Sequence, residues 1–327
     1  ISYWLISIFL IISLMIVVGG LTRLTDSGLS ITQWQLFSGL LPPLNTGQWN
    51  HYFDLYKKIP EYTLQNAAMT LDEFKVIFWW EFAHRFLGRL IGIFFLIPLI
   101  FFTIKIGFKK TLNFHLIFLL ICLQGFVGWY MVTSGLVDRV DVSHYRLALH
   151  LVLAFIILSL IFWNYLNFTE IKLPQEKINK FLPLFFVLLL FTQLIIGAFV
   201  SGMDAGKIYN TWPLMGNNYF PDDNLINNLF KFSSLNEPSL VQFIHRNLAY
   251  LIMIFYLFML FKIYQKKISS YFKILNIIGV LLLLQILLGI YTLLSGAQIF
   301  ISSMHQISSI FLISSSVYFL YLNTKTN

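Results

Sequence analysis

The residues of this 327-residue chain that could do chemistry are few: seven histidines, one cysteine and a single acid set inside an apolar run. His84, His150, His245 and His305 each stand in an apolar stretch near the end where the chain enters it, whereas His51 and His115 lie in or beside polar segments. Cys122 has no partner thiol, so neither a disulfide nor a cysteine metal site is available, and any metal must be held by histidine. Glu81 precedes His84 by three residues, which puts both side chains on roughly one face of a helix.

Four histidines at equivalent depth are more than helix-to-helix hydrogen bonding requires. Two on facing helices of a four-helix bundle are what an axially ligated heme needs, because such sites are built from inward side chains. Zinc would call for three or four donors, and the C-terminal half supplies no acid or thiol companion. Arg85 and Arg246 directly follow their histidines, Arg89 is one turn beyond Arg85, and Arg146 is four residues before His150. Guanidinium groups bind carboxylates in bidentate fashion, so these arginines are candidates for heme propionates, with interfacial snorkelling as the alternative.

The elements that must position these residues are membrane helices. The chain is 58% hydrophobic and 11% charged, with a mean hydropathy of +0.76, against about 25% charged in soluble domains. A water-soluble globular protein is excluded. Residues 1 to 22, 111 to 137, 147 to 169, 181 to 203 and 274 to 324 carry no charge, and ~20 apolar residues of helix cross the hydrocarbon core. The last run is long enough for two spans, with a turn at Ser295-Gly296-Ala297-Gln298. Val76 to Ile104 and Ser239 to Phe261 bring the expected total to eight. The fold class is therefore an all-α membrane protein, arranged as two pseudo-symmetric four-helix bundles; the alternating strands of a barrel are absent.

The net charge of +8 resides in short loops rather than in a nucleic-acid-binding face. Lys105, Lys109 and Lys110, then Lys172, Lys177 and Lys180, then Lys262, Lys266, Lys267 and Lys273 follow the second, fourth and sixth spans. The positive-inside rule places them, and both termini, in the cytoplasm, with the long loops Arg23 to Glu73 and Asp204 to Pro238 outside. The heme sites then lie toward the outer face. A short leading segment is expected before Ile1.

The two halves repeat. Gly197, Asp204 and Trp212 each follow Gly19, Asp26 and Trp34 by 178 positions. His245 follows His84 by 161, and the same interval separates Gln285 from Gln124 and Gly289 from Gly128. Residues 1–170 and 171–327 are read as two copies of a four-helix unit in parallel orientation. A gap-free repeat would pair His305 with His144; His150 is preferred because Leu147, Ala148, Leu149 and Leu151 place it inside the span, at the cost of a six-residue insertion. The repeat partner of Glu81 is the neutral Gln242, so the N-terminal half is expected to perform proton-coupled chemistry and the C-terminal half to carry electrons or structure.

The segments Val18 to Trp34, Phe78 to Gly92, Asp141 to His150 and Asp204 to Met215 closely resemble the heme A synthase family, and the likeness runs from the first span to the eighth. Lacking outer-loop cysteine pairs, the chain is similar to the mitochondrial and α-proteobacterial branch, so a thiol relay is not carried over. The resemblance implies oxidation of heme o to heme a, the cofactor of terminal oxidases, by hydroxylating a porphyrin methyl twice and losing water. It implies that His84 and His150 ligate or flank the substrate heme, that His245 and His305 ligate a heme b, and that Glu81 is the acid beside the substrate methyl. It also implies a bacterial inner-membrane location among lipid, a heme o synthase and cytochrome oxidase assembly factors as partners, and an electron acceptor of unidentified kind. The chain could further associate with copies of itself; no nucleic acid is expected. A diheme b-type electron-transfer subunit and a heme transporter or chaperone are the competing readings, and neither accounts for an acid in one half alone.

Overall fold

The computed structural model describes residues 1–34 and 38–325; Gln35, Leu36 and Phe37 of the first outer loop, and Thr326 and Asn327 of the C-terminal half, lie outside the described residues. Ten α-helices run through that part: α1 (Ser2–Leu24), α2 (Thr46–Tyr56), α3 (Pro60–Leu64), α4 (Leu71–Ile106), α5 (Phe108–Asp138), α6 (His144–Asn167), α7 (Phe181–Gly202), α8 (Pro238–Gln265), α9 (Phe272–Leu294) and α10 (Ile299–Thr324). Among the described residues there is no β-strand. Eight of the helices, all except α2 and α3, are long and apolar enough to cross a membrane.

Local chemistry sets the helix ends. Thr70 and Glu73 form a capping box at the start of α4, the hydroxyl accepting from the Glu73 amide and the carboxylate from the Thr70 amide. Asn45 caps α2 through the Gln48 amide, and Pro238 opens α8 where its missing N–H costs nothing. Gly107, at φ +88°, is the only residue between α4 and α5; that conformation is open to glycine because it has no Cβ. The expected turn between the last two spans is present, with α9 ending at Leu294 and α10 beginning at Ile299.

Long apolar side chains point outward along the spans: Ile93, Ile97, Ile100 and Ile104 on α4 are all about half exposed or more. A continuous exposed apolar face of this length is stable against lipid and not against water.

By compactness the chain divides into Tyr3–Ile161 and a second unit from Phe162 onward that includes Ile1–Ser2. In the first, α4 packs on α5, and the short helices α2 and α3 lie on α4 and α5 respectively. Phe53, Tyr56, Phe74, Ile77 and Phe78 join Leu29 and Ile31 in a buried cluster that ties the outer loop to the start of α4. In the second unit α10 packs on α9 and α7, and α7 on α8.

Candidate active site

In the first unit α4 and α6 bring His84 and His150 together, with ring centroids 6.3 Å apart and planes at 56°. Each imidazole rests on a glycine of the preceding span. A Cβ at Gly19 of α1 would lie 2.7 Å from Cε1 of His84, and one at Gly128 of α5 would lie 3.0 Å from Cε1 of His150. The second unit repeats the arrangement: Gly197 of α7 faces His245 at 3.1 Å, and Gly289 of α9 faces His305 at 3.0 Å. A Cβ at Gly19 would force a shift, and one at any of the other three would require the ring to give by a few tenths of an ångström. His144, by contrast, is the first residue of α6, its ring tilted by 38° against that of Tyr145 at 4.2 Å.

Glu81 is buried on α4 and meets only donors. Oε2 accepts from the Ser30 hydroxyl at 2.7 Å and the Ile31 amide at 2.6 Å, while Oε1 accepts from Arg85 Nε at 3.0 Å and Nη2 at 2.5 Å. Arg85 also donates to the carbonyls of Ile31 and Gln33, pinning the outer loop to the helix. The equivalent residues of the second unit make the same kind of clamp: Arg246 donates to Gln242 Oε1 and to the carbonyls of Tyr209, Thr211 and Leu214. Tyr209 and Thr211 each stand 178 positions after Ile31 and Gln33, the interval seen in the sequence. The polarity at the matched position is inverted. Gln242 donates its amide hydrogens to the carbonyls of Ala205 and Tyr209, whereas Glu81 accepts. A carboxylate has no hydrogen to give, so the loop around it must present N–H and O–H groups.

The other two candidate arginines are placed differently. Arg146 donates to the Tyr130 hydroxyl and stacks over that ring at 4.5 Å. Arg89 shares an open recess with Arg85, Phe78, Phe82, Ile31 and Tyr52. Gly92 of α4 and Gly125 of α5 face open space, Gly88 meets the Met15 methyl, and of these and Gly128 only Gly128 meets a histidine.

The model of the COX15-CtaA family, described as cytochrome oxidase assembly protein, matches residues 2–317. The chain belongs to this family. It is similar to the heme A synthase of Pelagibacter ubique, 51% identical over 326 residues that cover 98% of this chain and 96% of the other. The heme A synthase of Rickettsia bellii is 42% identical over 318 residues, covering 95% and 94%, and that of Parvibaculum lavamentivorans 46% over 257 residues, covering 78% and 75%.

This COX15-CtaA member buries a second acid that the search for ionisable residues inside spans passes over. Glu61 of α3 is 2% exposed, accepts from the Tyr56 hydroxyl at 3.2 Å, and has no partner for Oε2. Burial pushes its carboxyl up to about 8; the Tyr56 hydroxyl offsets part of that, and the negative charges of Glu81, Asp141 and Asp26 add to it. The signal in the sequence was slight, because α3 is a five-residue helix inside a polar loop. Also missed was Gln193, whose amide donates to the carbonyl of His245 at 3.0 Å and reaches its ring.

Proposed function

We propose that the chain is a heme A synthase that converts heme o to heme a in its N-terminal half. The observation that carries this reading is the pairing of His84 with His150 at 6.3 Å in the half that also holds Glu81. That separation leaves room for a heme iron between the two rings, which His84 and His150 would hold. The glycine seats and the buried, unpartnered Nδ1 atoms of His84, His245 and His305 also fit rings meant to turn toward a metal.

On this reading His84 and His150 hold the substrate heme, and His245 and His305 hold a heme b that supplies one-electron transfer. With water as the oxygen source, turning a methyl into a formyl group releases four electrons and four protons to an external acceptor. Glu81 accepts protons or positions water at the substrate methyl, and Arg85 holds the carboxylate in place and compensates its charge. Arg89, in the recess beside Phe78 and Phe82, and Arg146 are the candidates for propionates, since Arg85 and Arg246 direct their donors to the loops. The reaction is an oxidation at a CH group, in a bacterial inner membrane with both termini cytoplasmic and the hemes toward the outer side. A heme o synthase and oxidase assembly factors are the expected partners.

Expressing the chain with a heme o source and separating the extracted hemes tests the assignment. Heme a is expected from the parent chain. Glu81→Gln should keep both hemes and accumulate heme o. Heme b alone in the purified parent would instead favour an electron-transfer subunit or a heme carrier.

A further inference from the structure

The four histidine seats differ in one residue. One turn before the seating glycine stands Gln124 ahead of Gly128, Gln193 ahead of Gly197, and Gln285 ahead of Gly289, but Met15 ahead of Gly19. The three glutamines all engage their histidines. Gln124 Nε2 lies 3.2 Å from a ring nitrogen of His150 and donates to its carbonyl at 3.0 Å; Gln193 does the same for His245 at 3.3 and 3.0 Å. Gln285 Nε2 lies 3.4 Å from a ring nitrogen of His305, and its oxygen is taken by the Ser308 hydroxyl. These contacts fix which end of each amide faces the histidine, since only an N–H can donate to a carbonyl. With Nε2 turned to the histidine each amide offers its ring a donor; Gln124 and Gln193 keep a buried, unpartnered Oε1, which turning the amide over would bring to a ring N–H.

Met15 cannot do this. A thioether has no hydrogen to donate and accepts weakly. Its methyl turns to Gly88, one turn past His84 on α4; Nδ1 of His84 is buried with no partner, as are Nδ1 of His245 and His305, but those two rings meet a glutamine amide through Nε2. A histidine that binds a metal ordinarily gives its other ring N–H to a fixed acceptor, which sets its orientation and strengthens its hold.

We propose that Met15 makes His84 the releasable ligand of the four, so that the N-terminal site exchanges its heme while the C-terminal site, with a glutamine behind both histidines, retains one. The inference rests on the heme reading above. It assigns the asymmetry to turnover: a substrate must leave as product, and a resident cofactor must stay. Met15 is a positioning residue that acts through His84.

The test uses the full chain purified with both hemes bound and excess apomyoglobin as heme acceptor, with the farnesylated heme and heme b distinguished after extraction. Met15→Gln should slow loss of the farnesylated heme roughly five- to tenfold, about the effect of one neutral hydrogen bond, and leave heme b loss unchanged. Met15→Leu should match the parent chain. Gln193→Met should speed loss of heme b by a similar factor, which keeps the inference testable if Met15→Gln fails to assemble. A parent rate in both Met15→Gln and Gln193→Met, with normal heme content, would overturn the inference and leave the heme reading standing. Equal slowing by Met15→Leu would also overturn it, by tracing the effect to packing. A parent chain without farnesylated heme would overturn both readings.

Discussion

Gly19 of α1 lies against the imidazole of His84 so closely that a Cβ there would come within 2.7 Å of Cε1. Contact at that distance forces the ring or the helix to move, and overpacking of this kind costs about 1–3 kcal/mol. Gly19→Ala is therefore expected to weaken heme retention in the N-terminal half about tenfold or more while sparing the C-terminal half. Gly197→Ala, with its Cβ 3.1 Å from Cε1 of His245, should reverse the pattern. Heme composition of the purified variants checks both; an unchanged ratio of the two hemes in each would count against the seats.

The arginine clamps make a different prediction. Arg246 gathers Tyr209, Thr211, Leu214 and Gln242 through one planar group, and a lysine ammonium cannot reach the same set in the same plane. Arg246→Lys should loosen the outer loop between α7 and α8, with a loss on the order of 1–3 kcal/mol from charged hydrogen bonds. Limited proteolysis from the outer face and a lowered Tm are the measurements. A loop as resistant as in the parent chain would mean that the carbonyl contacts do not hold it.

Glu61 predicts a pH dependence. Its folded-state pKa, about 8, lies above the ordinary 4.5. Below pH 4.5 both the folded and unfolded chains are protonated and the group costs nothing. As pH rises from there to about 8 the unfolded chain gives up its proton first, so stability falls across that window and the loss is complete above it. Glu61→Gln should remove this slope and stabilise the first unit by up to a few kcal/mol above neutral pH. Unfolding in detergent at pH 5, 7 and 9 is the check; parallel profiles for the two chains would show that Glu61 is ionised when folded.

Much of this was legible in the chain itself. Charge-free runs locate six of the eight spans because lipid admits no unpaired charge, and Ser295 to Gln298 break the last run because Gly296 and Ala297 take up left-handed backbone at φ +67° and +63°. The intervals of 178 and 161 were readable because loop clamps and helix seats need the same residue types in both halves. His84, Glu81 and Arg85 stood out since ionisable groups inside a span are costly.

What the chain could not state is direction and distance. Nothing in the sequence says that Gly19, and not Gly92, touches a histidine, because helix rotation is set by packing against neighbours. Choosing His150 over His144 rested on flanking leucines; the 6.3 Å approach to His84 comes from how α4 and α6 meet. The arginines read as propionate partners or as interfacial snorkelling groups; that Arg85 and Arg246 hold loop carbonyls is decided by how the loops fold back on them. Glu61 and Met15 had no signal of their own. An acid in a polar loop becomes buried, and a methionine among apolar residues becomes the odd member of four seats, only when tertiary packing decides what lies beside each.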